Sequence, residues 1–320
     1  MEHGFWEKIK KPILALAPME DVTDEAFRRI IAKYGKPDVM FTEFTSCDGL
    51  VSEKGHRKML TDLWYSEEER PIVAQVFGAD PENFYKAAQM IKKLGFDGID
   101  INMGCPVNKI VNSDSCSALI KNPRLAQEII FATKKGAEGI PISVKTRLGW
   151  NKNEIETWIP ALLLCEPAVL TIHGRTRKQM SQVPADWNAI ARCVDIRDGL
   201  RSKTLIVGNG DVADVRQATE YADRFKVDGV MIGRGIFGNP WLFSSQGKQV
   251  TPKEKLLVML EHTRLFEELF QGIKNFQVMK KHYKAYVSGW AGAKNLRVKL
   301  MMTYDSREVE SIVHEYLKKI

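Results

Sequence analysis

Cysteine is scarce in this chain, and what there is does not pair. The 320 residues hold five, Cys47, Cys105, Cys116, Cys165 and Cys193, an odd number at wide spacing with no C-x-x-C. Neither a disulfide framework nor a structural zinc site is suggested, which leaves a lone thiol available for chemistry. Long hydrophobic runs are also missing. The longest early one, Ile13–Ala17, follows Lys8, Lys10 and Lys11 and is too short for a membrane span or a signal-peptide core. A soluble, cytoplasmic protein with no membrane partner is therefore expected. The sequence contains no H-E-x-x-H, no Walker A and no G-x-S-x-G, so no metal is expected and the usual hydrolytic constellations are excluded. Gly208-Asn209-Gly210 is followed by Ala213 where a dinucleotide fingerprint needs its third glycine, and a Rossmann reading fails.

What is present is a core. Hydrophobic residues make up 44% and charged residues 27%, enough apolar material for a large folded domain. Eight apolar runs of strand length recur: Ile13–Ala17, Val39–Phe44, Ile72–Phe77, Gly98–Asn102, Ile142–Thr146, Val169–His173, Leu205–Gly208 and Gly229–Gly233. Helical stretches separate them, such as Asp24–Tyr34 with Asp24 as N-cap, Pro81–Leu94, and Pro123–Lys135 with Gly136 at its end. This alternation predicts an α/β fold, a (β/α)8 TIM barrel, with a doubly wound sheet as the alternative because strand order is not written in the sequence. Ligand-capable residues close nearly every run: Pro18-Met19-Glu20, Glu43, Gln75, Asn102-Met103-Gly104-Cys105, Lys145-Thr146-Arg147, His173-Gly174-Arg175, Asn209-Gly210-Asp211 and Gly233-Arg234-Gly235. Only a closed barrel gathers all eight strand ends around one mouth.

After Asn239-Pro240-Trp241 the pattern becomes helical, with Thr251 as N-cap ahead of Pro252 and apolar spacing through Leu256, Leu260, Phe266 and Phe270. The expected division is a catalytic barrel at 1–245 and an all-helical domain at 246–320. Between Gln271 and Leu300 lie six Lys and one Arg with no Asp or Glu, a charge equal to the +7 of the whole chain.

The loops after the seventh and eighth strands are the usual phosphate site of a barrel. Here they carry Gly210 and Gly233, whose backbone a phosphate can approach, and Arg234, which can neutralise it. Lys145 ends an apolar run, where an unpaired ammonium is costly, and so points to a ligand. Such a cation suits the N1/C2 edge of a flavin, with Gln75 offering amide hydrogen bonds to the same ring. A strand-end lysine is as often a solvated surface residue, and a lone histidine such as His173 is more often a satisfied core residue. Their joint placement is what carries the ligand reading. Cys105 follows a buried strand, with Pro106 stiffening the turn and Gly104 permitting close approach. Beside a flavin it becomes a plausible proton donor, though a buried structural cysteine is the commoner case.

Together these residues resemble the tRNA-dihydrouridine synthase family. The resemblance rests on Ala17-Pro18-Met19 with Val22-Thr23-Asp24, Thr42-Glu43-Phe44, Arg70-Pro71 with Gln75–Gly78, and Asp100–Pro106 with Lys109. It continues through Val144–Arg147, His173–Thr176, Gly208–Asp211, and Gly233-Arg234-Gly235 with Gly238–Trp241. Met279–His282 and Gly292-Ala293 with Leu296-Arg297 extend it into the helical tail. The resemblance implies an FMN enzyme that reduces the C5–C6 bond of uridines in tRNA, with NADPH as reductant and Cys105 protonating C5. On that reading Pro18, Met19, Glu20, Gln75, Lys145, His173, Asn209, Gly210, Asp211, Gly233 and Arg234 hold the cofactor. Asn102 and Arg175 face the uridine, while Lys280, Lys281, Lys284 and Arg297 grip the tRNA. A monomer that does not bind DNA is expected.

The chain departs from the family pattern at Cys116, where glycine is usual, and at Ser181-Gln182-Val183, which replaces a Tyr-x-Gly. Cys116 lies 11 positions after Cys105, and oxidation is expected to pair the two. Two other readings fit parts of the sequence: an FMN barrel reductase of a small molecule, resembling dihydroorotate dehydrogenases, and a non-catalytic tRNA-binding protein. A cationic, acid-free tail argues against the first. The intact Cys105, Asn102, Lys145 and His173 argue against the second.

Overall fold

The structure is a computed structural model describing residues 3–107, 113–244 and 250–319. Its strands are β1 (Ile13–Leu16), β2 (Met40–Phe41), β3 (Thr45–Ser46), β4 (Ile72–Phe77), β5 (Gly98–Met103), β6 (Ile142–Arg147), β7 (Val169–His173), β8 (Leu205–Asn209) and β9 (Gly229–Ile232). All pair in parallel in the order β1-β9-β8-β7-β6-β5-β4-β2. A bridge between Ala15 and Val39 closes the ring, with Leu16 N–H donating to Val39 O at 3.0 Å and Asp38 N–H to Leu14 O at 2.9 Å. This is a TIM barrel, and the doubly wound alternative is excluded.

The second expected strand, Val39–Phe44, appears as two short pieces, β2 and β3, both paired to β4. Thr42 interrupts it. Its hydroxyl donates to Glu43 O and accepts the Gln75 N–H, so a side chain occupies a ladder position.

Around the strands run α1 (Glu25–Gly35), α2 (Cys47–Val51), α3 (His56–Thr61), α4 (Pro81–Lys93), α5 (Pro123–Ala137), α6 (Ile155–Leu163), α7 (Trp187–Gly199) and α8 (Val215–Phe225). Asp24 caps α1 by accepting the Phe27 N–H at 2.9 Å. The α5 helix runs past Gly136, which serves close packing rather than termination. A Cβ there would lie 2.2 Å from Tyr85 O on α4, and the left-handed residues that end α5 are Glu138 and Gly139. The main apolar core fills the space between strands and helices. A smaller one, with Ile13, Ala15, Phe41, Val73, Val207 and Met231, lines the barrel and includes Trp6. Trp6 belongs to a short turn whose Gly4 packs on Pro141 and whose Phe5 packs on Gly98, both at strand starts, so the floor is sealed and the opposite end is open.

From Pro252 onward the described chain is helical: α9 (Pro252–Phe270), α10 (Met279–Tyr286), α11 (Ala293–Leu300) and α12 (Ser306–Leu317). These helices bury Leu256, Phe266, Tyr283, Leu296 and Val309 in their own cluster, into which α1 inserts Ala26 and Ile30. The expected boundary at 245/246 lies outside the described residues. None of the described helices is long and apolar enough to cross a membrane.

Candidate active site

Strand register assembles the site. In a parallel sheet, side chains of partnered residues point the same way, and so do those two apart on one strand. Gln75, Asp100 and Ser143 are partnered across β4, β5 and β6, and they form one bonded layer. Gln75 Nε2 donates to Asp100 Oδ2 at 2.7 Å and Ser143 Oγ to Asp100 Oδ1 at 2.6 Å. Burial pushes the Asp100 carboxyl up to about 6, against those two hydrogen bonds and Lys145.

One step toward the mouth, Asn102 and Lys145 are partners. Asn102 Nδ2 donates to Gln75 Oε1 at 3.0 Å, while its Oδ1 accepts the N–H groups of Gly104 at 3.0 Å and Cys105 at 2.9 Å. That clamp fixes the loop bearing the half-buried Cys105 thiol. The thiol is held down to about 7, first by a hydrogen bond from the Cys116 side chain and then by Val107 N–H and the charges of Arg147 and Lys145, all working against burial. Lys145 Nζ donates to Asn209 Oδ1 at 3.3 Å, and Asn209 Nδ2 to Met231 O at 2.8 Å. Burial, helped by the Arg147 charge, lowers Lys145 to about 8.

The outermost row is Arg147, His173 and Asn209, partnered across β6, β7 and β8. His173 is kept neutral by burial and by the cations Arg147, Lys145, Arg175 and Arg234, and its Nδ1 is buried with no hydrogen-bond partner among the described residues. A cavity of about 260 Å³ opens over this row, lined by Pro18, Met19, Lys145, His173, Asn209, Gly210, Asp211, Gly233 and Arg234, with Ala17, Arg147, Val212 and Met231. Nine of the expected residues thus converge on one hollow. Asp211 gathers arginines rather than an anion: it pairs with Arg175, with Arg234 at 2.8 Å, and accepts Ala185 N–H.

Several expected residues stand elsewhere. Gln75, Asn102 and Cys105 adjoin the cavity through Lys145 and Arg147 without lining it. Glu20 is outside too. Burial, with the neighbouring carboxylates Glu43, Asp62 and Asp21, raises it to about 8. Arg175 is buried and turned into its own loop, donating to Val183 O at 2.5 Å besides its pair with Asp211. Arg297 donates to Val287 O at 2.6 Å, Lys280 lies over the Tyr304 ring, Lys281 pairs with Asp21 at 3.5 Å, and Lys284 is exposed. Lys274, counted in the cationic segment, reaches the barrel and pairs with Glu43 at 2.5 Å and Asp62 at 3.4 Å. Lys109 lies outside the described residues.

Among the lining residues that received no role from the sequence, Arg147 is the charged one. Arg147 lines the cavity and donates from Nε to Gly104 O at 2.6 Å and from Nη1 to Thr176 O and Met180 O, both at 3.2 Å. Its position two after Lys145, on the same strand face, was the available signal.

Comparison with known proteins shows the family and the fold of the chain. The family model described as dihydrouridine synthase (Dus) matches residues 15–320. A probable tRNA-dihydrouridine synthase of Staphylococcus aureus (strain COL) is 41% identical over 318 residues, covering 99% of this chain and 96% of that one. Probable tRNA-dihydrouridine synthase 2 of Bacillus subtilis (strain 168) is 39% identical over 321 residues, covering 100% and 98%. Among solved structures, histamine dehydrogenase from Rhizobium sp. 4-9 aligns with TM-score 0.55 at 13% identity, over 79% of this chain and 48% of that one. Morphinone reductase aligns with TM-score 0.51 at 13% identity, over 76% and 86%. These two likenesses concern the fold alone. From the first barrel strand to the last helix, the chain belongs to the dihydrouridine synthase family.

Proposed function

We propose that the protein reduces the C5–C6 double bond of particular uridines in tRNA, giving 5,6-dihydrouridine, with bound FMN and with NADPH as reductant. The observation that carries this reading is Lys145, a half-buried, largely desolvated ammonium whose hydrogen bond goes to a neutral amide, placed beside the Cys105 thiol. A desolvated cation with no carboxylate in direct contact among the described residues is costly, and the electron-rich edge of a flavin answers that cost. The unpartnered Nδ1 of His173 is a second polar atom that such a ring satisfies. Pro18, Met19 and Gly233 would flank the ring, and Gly210, Gly233 and Arg234 would take the phosphate.

When bound, FMN supplies a hydride for uracil C6. The chain does the rest. Cys105 S–H gives its proton to C5, and a thiol near 7 is a competent acid at neutral pH. Asn102 and Arg147 brace the Cys105 loop at Gly104 from both sides, one through N–H groups and one through the carbonyl. Residues 246–320 take the tRNA through Lys280, Lys281 and Lys284, and the target base turns out of its stack to reach the barrel mouth.

The purified protein is expected to be yellow and to release FMN on denaturation. Cys105→Ala should oxidise NADPH through its flavin as before, while dihydrouridine formation drops roughly 10²–10⁴-fold, the usual loss when a general acid is removed. A protein that takes up no FMN, or a Cys105→Ala variant with undiminished dihydrouridine formation in tRNA mass mapping, overturns the reading.

A further inference from the structure

Cys116 lines no part of the flavin cavity, yet it is fully buried beside the reaction's thiol. It opens a short turn, Cys116–Lys121, that packs on β5. Its φ of 54° is left-handed, a conformation that glycine adopts freely and a residue with a Cβ adopts only under constraint. The constraint is visible next door. Ser117 donates to the Cys105 carbonyl twice, from N–H at 3.4 Å and from Oγ at 2.8 Å. This double anchor lays the turn against Cys105 and sets the Cys116 side chain beside the Cys105 side chain.

We propose that Cys116 is a positioning residue for the reaction, its S–H donating to Cys105 Sγ and stabilising the charge left there when the Cys105 proton departs. The inference rests on the reading of Cys105 as proton donor. In the step itself the Cys105 S–H bond breaks, the proton goes to C5, and the electron pair stays on Cys105 Sγ. Cys116 keeps its own proton throughout. Burial and the neighbouring Cys105 push the Cys116 thiol well above its ordinary value, so it remains a donor across the working pH range. A hydrogen bond to the ionised form favours that form, which is the sense in which Cys105 is shifted. The other groups facing the pair are Lys145 and Arg147 on β6, both favouring the Cys105 thiolate, and the buried Cys47 on α2.

The test is the rate at which iodoacetamide labels Cys105 in the holoenzyme, read by peptide mass as a function of pH, for wild type, Cys116→Gly and Cys116→Ser. Glycine accepts the left-handed backbone, so that variant removes the donor without adding strain. Wild type should show a labelling midpoint near 7. In Cys116→Gly the midpoint should rise by about one unit or more, with labelling at neutral pH roughly tenfold slower. Cys116→Ser, which keeps a hydroxyl donor, should fall between the two. The alkaline limb of dihydrouridine formation, where Cys105 loses its proton, should move to higher pH in the same order, with flavin reduction by NADPH unchanged. An unshifted midpoint in Cys116→Gly, with flavin content and melting temperature at wild-type values, overturns the proposal. Labelling needs no turnover, so this outcome is distinct from failure of the proton-donor reading, which the Cys105→Ala variant decides.

Discussion

A single half-buried ammonium organises the site. Lys145 is inserted among Asn102, Asn209 and Arg147, where two cations two residues apart raise the positive potential of the cavity. Anionic states bound there gain most. Lys145→Ala should therefore weaken the reduced flavin more than the oxidised one and lower its midpoint potential, by about 30 mV for each tenfold of lost preference. Reductive titration of the two proteins checks this, and an unchanged potential would place Lys145 away from the ring. The neighbouring thiols make a second prediction. One equivalent of peroxide should convert the Cys105 and Cys116 thiols to a disulfide and two waters, leaving Cys105 no proton to give. Dithiothreitol should restore dihydrouridine formation in wild type. Equal and equally reversible loss in Cys116→Ser would show that the two sulfurs do not join.

At the scale of elements, the loops at the mouth hold their shape by leaning on one another. Trp187 at the start of α7 donates from Nε1 to Gly210 O at 2.9 Å, fixing the loop after β8, and its ring packs on Tyr221 and Phe225 of α8. Gly208 is what admits that ring: a Cβ on it would stand 2.3 Å from Trp187 Cζ3. Gly208→Ala should push Trp187 out and drag Gly210 with it. Overpacking of this kind costs typically about 1–3 kcal/mol. Thermal denaturation should show the lower stability, and equilibrium dialysis a weaker hold on FMN. A variant with wild-type melting and wild-type FMN affinity would mean that Trp187 has somewhere else to go.

Taken whole, the molecule joins barrel to helices by charge at the edge and by rings inside. Lys274 reaches Glu43, Lys33 meets Glu261 at 2.7 Å, and Tyr34 donates to Glu261 at 2.6 Å. Between them, His262 and His282 are packed against Phe27 of α1 with ring centroids at 5.6 and 5.0 Å. Burial lowers His262 from 6.5 to about 3, and lowers His282 well below its ordinary value, with His262 and Lys281 adding to the effect. Below pH 6.5 the unfolded chain binds protons that these folded rings refuse. Their stabilising contribution is thus complete above pH 6.5 and is lost as pH falls toward 3, at up to about 1.4 kcal/mol per pH unit for each ring. Urea titrations of wild type and His262→Phe should diverge in that window and run parallel above it. The exterior charge supplies the last prediction. Replacing Lys280, Lys281 and Lys284 together by Ala should flatten the salt dependence of tRNA binding by roughly one unit for each phosphate no longer neutralised, with flavin properties unchanged. An unchanged slope and affinity would make this segment a solvated helical face.

The succession of strands and helices along the chain, and the residue types at each strand end, were determined by the sequence alone. An apolar run of four to six residues must lie between strand partners, and the polar residue that ends it must meet solvent or ligand at the mouth. That is why Lys145, His173, Asn209 and Arg234 could be named from their positions in the chain. What the tertiary structure decided is which neighbours those groups keep. Arg175 bends back to Asp211, 36 positions away, and Lys274 crosses 231 positions to Glu43, so a loop arginine and a tail lysine are engaged within the fold. Gly136 closes a helix–helix contact instead of ending a helix, and Cys116 comes to lie beside Cys105 because Ser117 is anchored on the Cys105 carbonyl. Local periodicity carries the backbone direction of each element. The partners of a side chain depend on strand register and loop closure, which are set only when distant segments pack.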